Sequence, residues 1–273
     1  AADVCGDSYA LAKAATAYQD ERVVLCGVRF MAETVKILSP EKTVVLPKKR
    51  ATCPMAEQIT PARVRAFREE NPEVTVVAYI NTTAALKAEC DVCVTSSSAV
   101  KIVHALPGRK ILFIPDQNLG AWVRKQCPEK EIILWDGCCP VHNSITQQDV
   151  LRAKAQHPSA KLAMHPECPP EALQHADMVG ATSAIIDYAL QNGQEDIIFG
   201  TECGVYNDLI QKYPKRHFYQ LRGDKLICPD MKMTSLQDVY LAVTGAGGEE
   251  IVLEEPLRKA AKRSLDNMLK YGG

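Results

Sequence analysis

Cys90-Asp91-Val92-Cys93-Val94-Thr95-Ser96 is the stretch that decides how this 273-residue chain folds. It reads as an aspartate, a short apolar run, and a hydroxyl residue five positions after the aspartate. The same pattern stands at Ala2-Asp3-Val4-Cys5-Gly6-Asp7-Ser8 and at Ala176-Asp177-Met178-Val179-Gly180-Ala181-Thr182, with the aspartates 88 and 86 residues apart. Self-similarity at a fixed period marks a repeat architecture.

The segments beyond each hydroxyl repeat as well. A helix-period stretch comes first: Tyr9 to Tyr18, Ala99 to Leu106, Ala184 to Leu190. An apolar strand comes next: Val23 to Leu25, Ile111 to Ile114, Ile197 to Phe199. Then come a second helix (Phe30 to Leu38, Leu119 to Lys125, Val205 to Lys212) and another strand (Thr43 to Leu46, Glu131 to Trp135, Phe218 to Leu221). Short apolar strands alternating with helices argue for parallel sheets covered by helices. The expected fold is α/β, with three repeated three-layer α/β/α domains around a pseudo-threefold axis. The expected units are residues 1–70 with 250–273, residues 71–157 and residues 158–249. Pro256 to Tyr271 reads as a basic amphipathic helix that packs back on the first unit. In the second and third copies a further strand precedes the aspartate, Val74 to Tyr79 and Lys161 to His165. Only two residues precede Asp3, so this strand has no counterpart in the first copy.

Composition narrows the function. The chain is 47% hydrophobic and 24% charged, with a formal net charge of −1, unlike the basic footprint of a nucleic-acid binder. No apolar run has membrane-spanning length, and Ala1 to Asp7 lack the charged and apolar regions of a signal peptide; a cytoplasmic protein is expected. Eleven cysteines in that setting favour metal or catalytic roles over a disulfide framework. Cys26 and Cys93, in apolar runs, read as small buried hydrophobes.

Three cysteines stand apart. Cys53, Cys139 and Cys228 each end a copy, 86 and 89 residues apart, and His142 follows Cys139 by three. Three thiolates fall short of the four ligands usual for structural zinc. They suit a [4Fe–4S] cluster with one iron left open, since such clusters are held by thiolates. Three buried cysteines carried along by the repeat would give the same spacing, and no close-spaced ferredoxin motif is present.

Twelve positions before Asp91 is Tyr79, and twelve before Asp177 is His165; two residues further on stand Asn81 and Glu167. These pairs fall at the C-terminal ends of their strands, where parallel α/β sheets form ligand sites. Ser8, Ser96 and Thr182 read as N-caps or, taken together, as three helix N-termini gripping a polyanionic small substrate.

Several strings resemble one family. They are Cys26-Gly27-Val28-Arg29-Phe30-Met31-Ala32-Glu33-Thr34, Gly137-Cys138-Cys139-Pro140-Val141-His142, His165-Pro166-Glu167-Cys168 and Cys228-Pro229-Asp230-Met231-Lys232-Met233. Together, and in this order, they resemble quinolinate synthase of the bacterial and archaeal NAD pathway. The resemblance implies three α/β/α domains around one [4Fe–4S] cluster. It implies condensation of iminoaspartate, supplied by an aspartate oxidase or dehydrogenase, with dihydroxyacetone phosphate to give quinolinate, phosphate and two waters.

Position by position, it implies that Cys53, Cys139 and Cys228 are the cluster ligands. Tyr79, Asn81 and Ser96 match its Tyr-x-Asn pair and following serine; His165, Glu167 and Thr182 match its His-x-Glu pair and following threonine. Ser8 matches a Gly-Asp-Ser serine. Glu167, His165 and Tyr79 are the expected catalytic groups; Ser8, Tyr79, Asn81, Ser96, His142, His165, Glu167 and Thr182 are the expected substrate contacts.

The chain departs from the family at Asp230, where asparagine is usual, and at Ala181, where many members have serine. A first strand bearing a catalytic His and Tyr has no counterpart here. Arg222 and Lys225 stand where some members carry a Cys-x-x-Cys-x-x-Cys redox switch. Another cluster-dependent hydro-lyase acting on a dicarboxylate, or a cluster-free anion-binding module, fits the residues apart from the resemblance.

Overall fold

The structure is a computed structural model, and it describes residues 2–191 and 196–272. The described strands are β1 (Arg22–Val24), β2 (Thr43–Leu46), β3 (Thr75–Tyr79), β4 (Val92–Val94), β5 (Lys110–Ile114), β6 (Glu131–Leu134), β7 (Lys161–Met164), β8 (Met178–Val179), β9 (Ile197–Gly200), β10 (Phe218–Gln220) and β11 (Glu249–Glu250). The helices are α1 (Ser8–Ala17), α2 (Arg29–Leu38), α3 (Pro61–Glu70), α4 (Ala84–Lys87), α5 (Ala99–Ala105), α6 (Gln117–Gln126), α7 (Gln147–Gln156), α8 (Pro170–Leu173), α9 (Thr182–Gln191), α10 (Cys203–Lys212), α11 (Leu236–Thr244) and α12 (Glu255–Gly272).

Two four-stranded sheets share one topology. Their orders are β4-β3-β5-β6 and β8-β7-β9-β10, and every pairing in both is parallel. Their central strands are buried on both faces, as the unbroken runs Val76-Val77-Ala78 and Leu162-Ala163-Met164 require. The repeated aspartate has a structural task here. Asp91 Oδ2 accepts the N–H of Val76 at 2.8 Å, and Asp177 Oδ2 accepts that of Leu162 at 2.9 Å. Each aspartate thereby ties the loop before the second strand to the first strand, and each meets a cation from the helix ahead of that first strand, Arg68 of α3 or Lys154 of α7.

The first sheet differs from expectation in two ways. It is mixed, because β11 pairs antiparallel with β2. Val4 and Cys5 are exposed and belong to no strand. In the other two sheets the equivalent strand pairs only with the first strand of its unit; among the described residues no such partner stands beside Val4.

Helices α3, α7 and α11 each begin eight residues after one of the three repeat-ending cysteines. Each then bonds residues that flank another sheet. Arg68 of α3 reaches Asp91, and Asp149 of α7 holds both Arg222 and Lys225. Asp238 of α11 meets Lys48, while Arg22 donates to the Ala242 carbonyl at 2.9 Å. Thus α11 bonds a residue of β1 and one just after β2. The final helix, α12, lays Ala261, Leu265 and Met268 into the core of the second unit. Asn267 donates to the Asp91 carbonyl, and α12 reaches the first unit through Arg258 and the carbonyl of Ile37. Cys93 is buried as expected, whereas Cys26 is exposed.

Candidate functional site

Cys53, Cys139 and Cys228 line one cavity of about 390 Å³, and so do Ser8, Tyr79, Asn81, Ser96, His142, His165, Glu167 and Thr182. Every candidate read from the repeat therefore falls in one place. Strand ends deliver them: Tyr79 ends β3, His165 follows β7, and Cys53, Cys139 and Cys228 follow β2, β6 and β10.

The three cysteines share one local geometry. Each is followed by proline, at Pro54, Pro140 and Pro229. Proline suits the first position of a helical turn, where its missing N–H is no loss. The next two N–H groups turn back to the sulfur: Met55 and Ala56 to Cys53, Val141 and His142 to Cys139, Asp230 and Met231 to Cys228. Those N–H groups favour the thiolate, but burial outweighs them. It pushes the Cys53 thiol up to about 12, and the Cys139 and Cys228 thiols upward as well. Thiols so placed ionise readily only when a cation shares the cavity.

The hydroxyls sit differently from expectation. Asp7, rather than Ser8, caps α1, accepting the N–H groups of Tyr9 and Ala10. Ser96 lies before the cap of α5, where Thr95, Ser97 and Ser98 bond one another. Ser96 instead bonds the Tyr79 hydroxyl. Thr182 opens α9.

Glu167 is the electrostatic centre. It is buried, with Oε2 2.9 Å from His142 Nδ1 and Oε1 3.8 Å from His165 Nδ1. The imidazoles of His142 and His165 have centroids 5.0 Å apart. Burial opposes charge on Glu167, but the two histidines and the Tyr79 hydroxyl outweigh it and hold the carboxyl well below the usual carboxylate range. Burial would lower His142, yet the Glu167 carboxylate prevails and raises it. Burial pushes His165 down to about 4. Burial, then the charge of Glu167, pushes Tyr79 well up and Asp116 up to about 7. The resting arrangement is a Glu167 carboxylate bonded to His142 on one oxygen and facing His165 on the other. Cys139, His142 and Glu167 also offer ligand atoms within 4.8 Å of one another, close enough to hold a metal ion.

Comparison with known proteins gives the family. Residues 1–270 match the family model described as Quinolinate synthetase A protein. Among curated relatives, the quinolinate synthase of Caldicellulosiruptor saccharolyticus is 46% identical over 269 residues, covering 98% of this chain and 88% of that protein. Those of Clostridioides difficile and Methanoregula boonei are 44% and 42% identical, each again covering 98% of this chain and 88% of the relative.

This chain belongs to the quinolinate synthase family.

Some residues of this quinolinate synthase family member are not legible as site residues in the sequence. Thr201 lies 3.3 Å from His142 Nε2 and fixes the ring from its far side. Lys87 is fully buried, and its amine donates to the carbonyls of Ile80 (2.7 Å) and Thr82, fixing the loop that carries Asn81. Asp116 and Glu202 bind backbone N–H groups of Cys139 and Cys228. The Cys-Pro dipeptide, present at all three ligand candidates, was the available signal for the matched turns. Lysines and helix-capping acids are too common at loop ends to be singled out.

Proposed function

We propose that this chain is a quinolinate synthase of NAD biosynthesis. In this reading it condenses iminoaspartate with dihydroxyacetone phosphate to give quinolinate, phosphate and two waters. The atoms balance without an oxidant or reductant. The observation that carries the reading is the meeting of three matched Cys-Pro turns, one from each unit, with the Glu167–His142 pair in one cavity.

The residues fit a [4Fe–4S] cluster. Its donor set would be the thiolates of Cys53, Cys139 and Cys228, each in a turn whose N–H groups already face the sulfur. When bound, the cluster supplies a Lewis-acidic iron that assists loss of water. With this cluster go the three-layer units about a pseudo-threefold axis that the repeat implies.

The remaining chemistry belongs to side chains. Ser8, Asn81, Ser96 and Thr182 line the cavity as donors for the carboxylates and phosphate of the substrates. Glu167 serves as the base. A dianionic substrate arriving beside a buried carboxylate raises the cost of that carboxylate's charge and makes it a better proton acceptor. His142, 2.9 Å away, donates to that carboxylate and steadies it, and Thr201 holds the ring in place for it. His165 stands on the other side of the carboxylate, and Tyr79 orients substrate through its hydroxyl. Val28, Phe30, Met31, Met55 and Val141 form apolar walls that limit water. An aspartate oxidase or dehydrogenase is the reaction class that would supply the imine.

A cluster-free anion-binding module would leave the three matched Cys-Pro turns, whose N–H groups face the sulfurs, without a task. The test is to purify the protein without oxygen, count iron and acid-labile sulfide, then supply both substrates and assay quinolinate and phosphate. Cluster-loaded protein that forms quinolinate with matching phosphate supports the proposal. Cluster-loaded protein that makes no quinolinate but dehydrates a hydroxydicarboxylate replaces it with a hydro-lyase.

A further inference from the structure

In the second and third units one buried carboxylate bonds two backbone donors, and Glu202 also meets Lys232 at 3.1 Å and the Cys203 thiol at 3.3 Å. Asp116, the cap of α6, accepts the Leu119 N–H on Oδ1 at 2.7 Å and the Cys139 N–H on Oδ2 at 2.8 Å. Glu202, the cap of α10, accepts the Gly204 N–H on Oε2 at 2.7 Å and the Cys228 N–H on Oε1 at 3.3 Å. The surrounding backbone is in matching register. The first N–H of each helix, from Gln117 and Cys203, donates to the carbonyl two residues before the cysteine, at Gly137 (2.7 Å) and Leu226 (2.8 Å). The first unit keeps that backbone bond, from Arg29 to Ala51 at 2.9 Å, but places buried Val28 at the cap.

Capping alone does not call for a carboxylate, because asparagine or serine caps a helix about as well. Burying an anion near Glu167 is also unfavourable. What a carboxylate adds is a second acceptor oxygen, where an amide would present an NH₂ group to one of the two donors. We infer that Asp116 and Glu202 are positioning residues that fix the backbone of Cys139 and Cys228, and so aim their sulfurs at a shared cluster. This rests on the reading of Cys53, Cys139 and Cys228 as cluster ligands.

The experiment compares Asp116→Asn and Glu202→Gln with the parent protein, all purified without oxygen. Circular dichroism and melting report the fold; the electron paramagnetic resonance line shape of the reduced cluster and its bleaching rate under a fixed excess of chelator report the site. Asp177→Asn, at a carboxylate that binds the backbone N–H of Leu162 away from the cavity, is the control. The expected result is that both amide variants fold, bleach about tenfold faster than the parent and show an altered line shape, while Asp177→Asn bleaches as the parent.

Parent protein without iron sinks the ligand reading itself. With parent protein carrying its cluster, three outcomes overturn the inference alone. These are amide variants that bleach within about twofold of the parent with unchanged line shape, Asp177→Asn bleaching as fast as they do, and amide variants that do not fold.

Discussion

The Nδ1 atom of His142 lies 2.9 Å from Glu167 Oε2 and 3.4 Å from the sulfur of Cys139. One imidazole thus connects the proposed base with a proposed cluster ligand, and both contacts arise from the turn that Cys139-Pro140 begins. Glu167→Gln keeps the shape and removes the proton acceptor. Turnover is expected to fall by about 10²–10⁴-fold with iron content unchanged; normal turnover would remove Glu167 from the role of base.

Lys87 offers a test away from the cluster. Its amine is fully buried, is held by the carbonyls of Ile80 and Thr82, and shares its surroundings with the half-buried carboxylate of Glu33. Lys87→Met leaves two carbonyls and Glu33 without their cation, so a loss of roughly 2–4 kcal/mol is expected. Denaturant melts measure it. A midpoint equal to the parent's would mean that the Tyr79–Thr82 loop holds itself.

Gly137 has no room for a side chain. A Cβ there would stand 2.5 Å from the backbone carbonyl oxygen of Pro115 and 2.8 Å from Gln58 Oε1. Gly137→Ala should therefore shift the turn carrying Cys139, lowering both melting temperature and iron content. Full iron content with a parent-like melt would show that the turn can move without harm.

Acid stability should depend on Asp149. Despite some burial, the bonds it accepts from Lys225, Thr146 and Arg222 hold its carboxyl well below the ordinary carboxylate range. Its folded-state pKa is depressed, so its contribution is present above the unfolded value of about 3.9 and is lost as pH falls below that value. Asp149→Asn should lower stability at neutral pH and flatten the pH dependence below about pH 4. Parallel curves for the two proteins would contradict this. The same bonds show what Arg222 and Lys225 do in place of cysteines: they anchor the third unit to α7.

The alternation of apolar runs and helix-period stretches made the two parallel sheets legible, because strands buried on both faces, such as Val76-Val77-Ala78, leave an unmistakable pattern. The cavity residues were legible because repetition placed Tyr79 with His165 and Asn81 with Glu167. Three things were hidden. The edge strand β11 consists of two glutamates, which carry no apolar signature. Val4-Cys5 has a strand-like composition but lacks the neighbour that its counterparts pair with. The packing of α12 on the second unit depends on long-range contacts, such as Asn267 to Asp91, that periodicity does not encode.

Iron and sulfide content of Cys228→Ser, prepared without oxygen beside the parent protein, tests the central claim most directly. The account predicts about four irons per chain in the parent and loss of most of the brown absorbance and iron in the variant, with the fold retained. A variant that keeps the parent's absorbance and full iron content would contradict a cluster held by Cys53, Cys139 and Cys228.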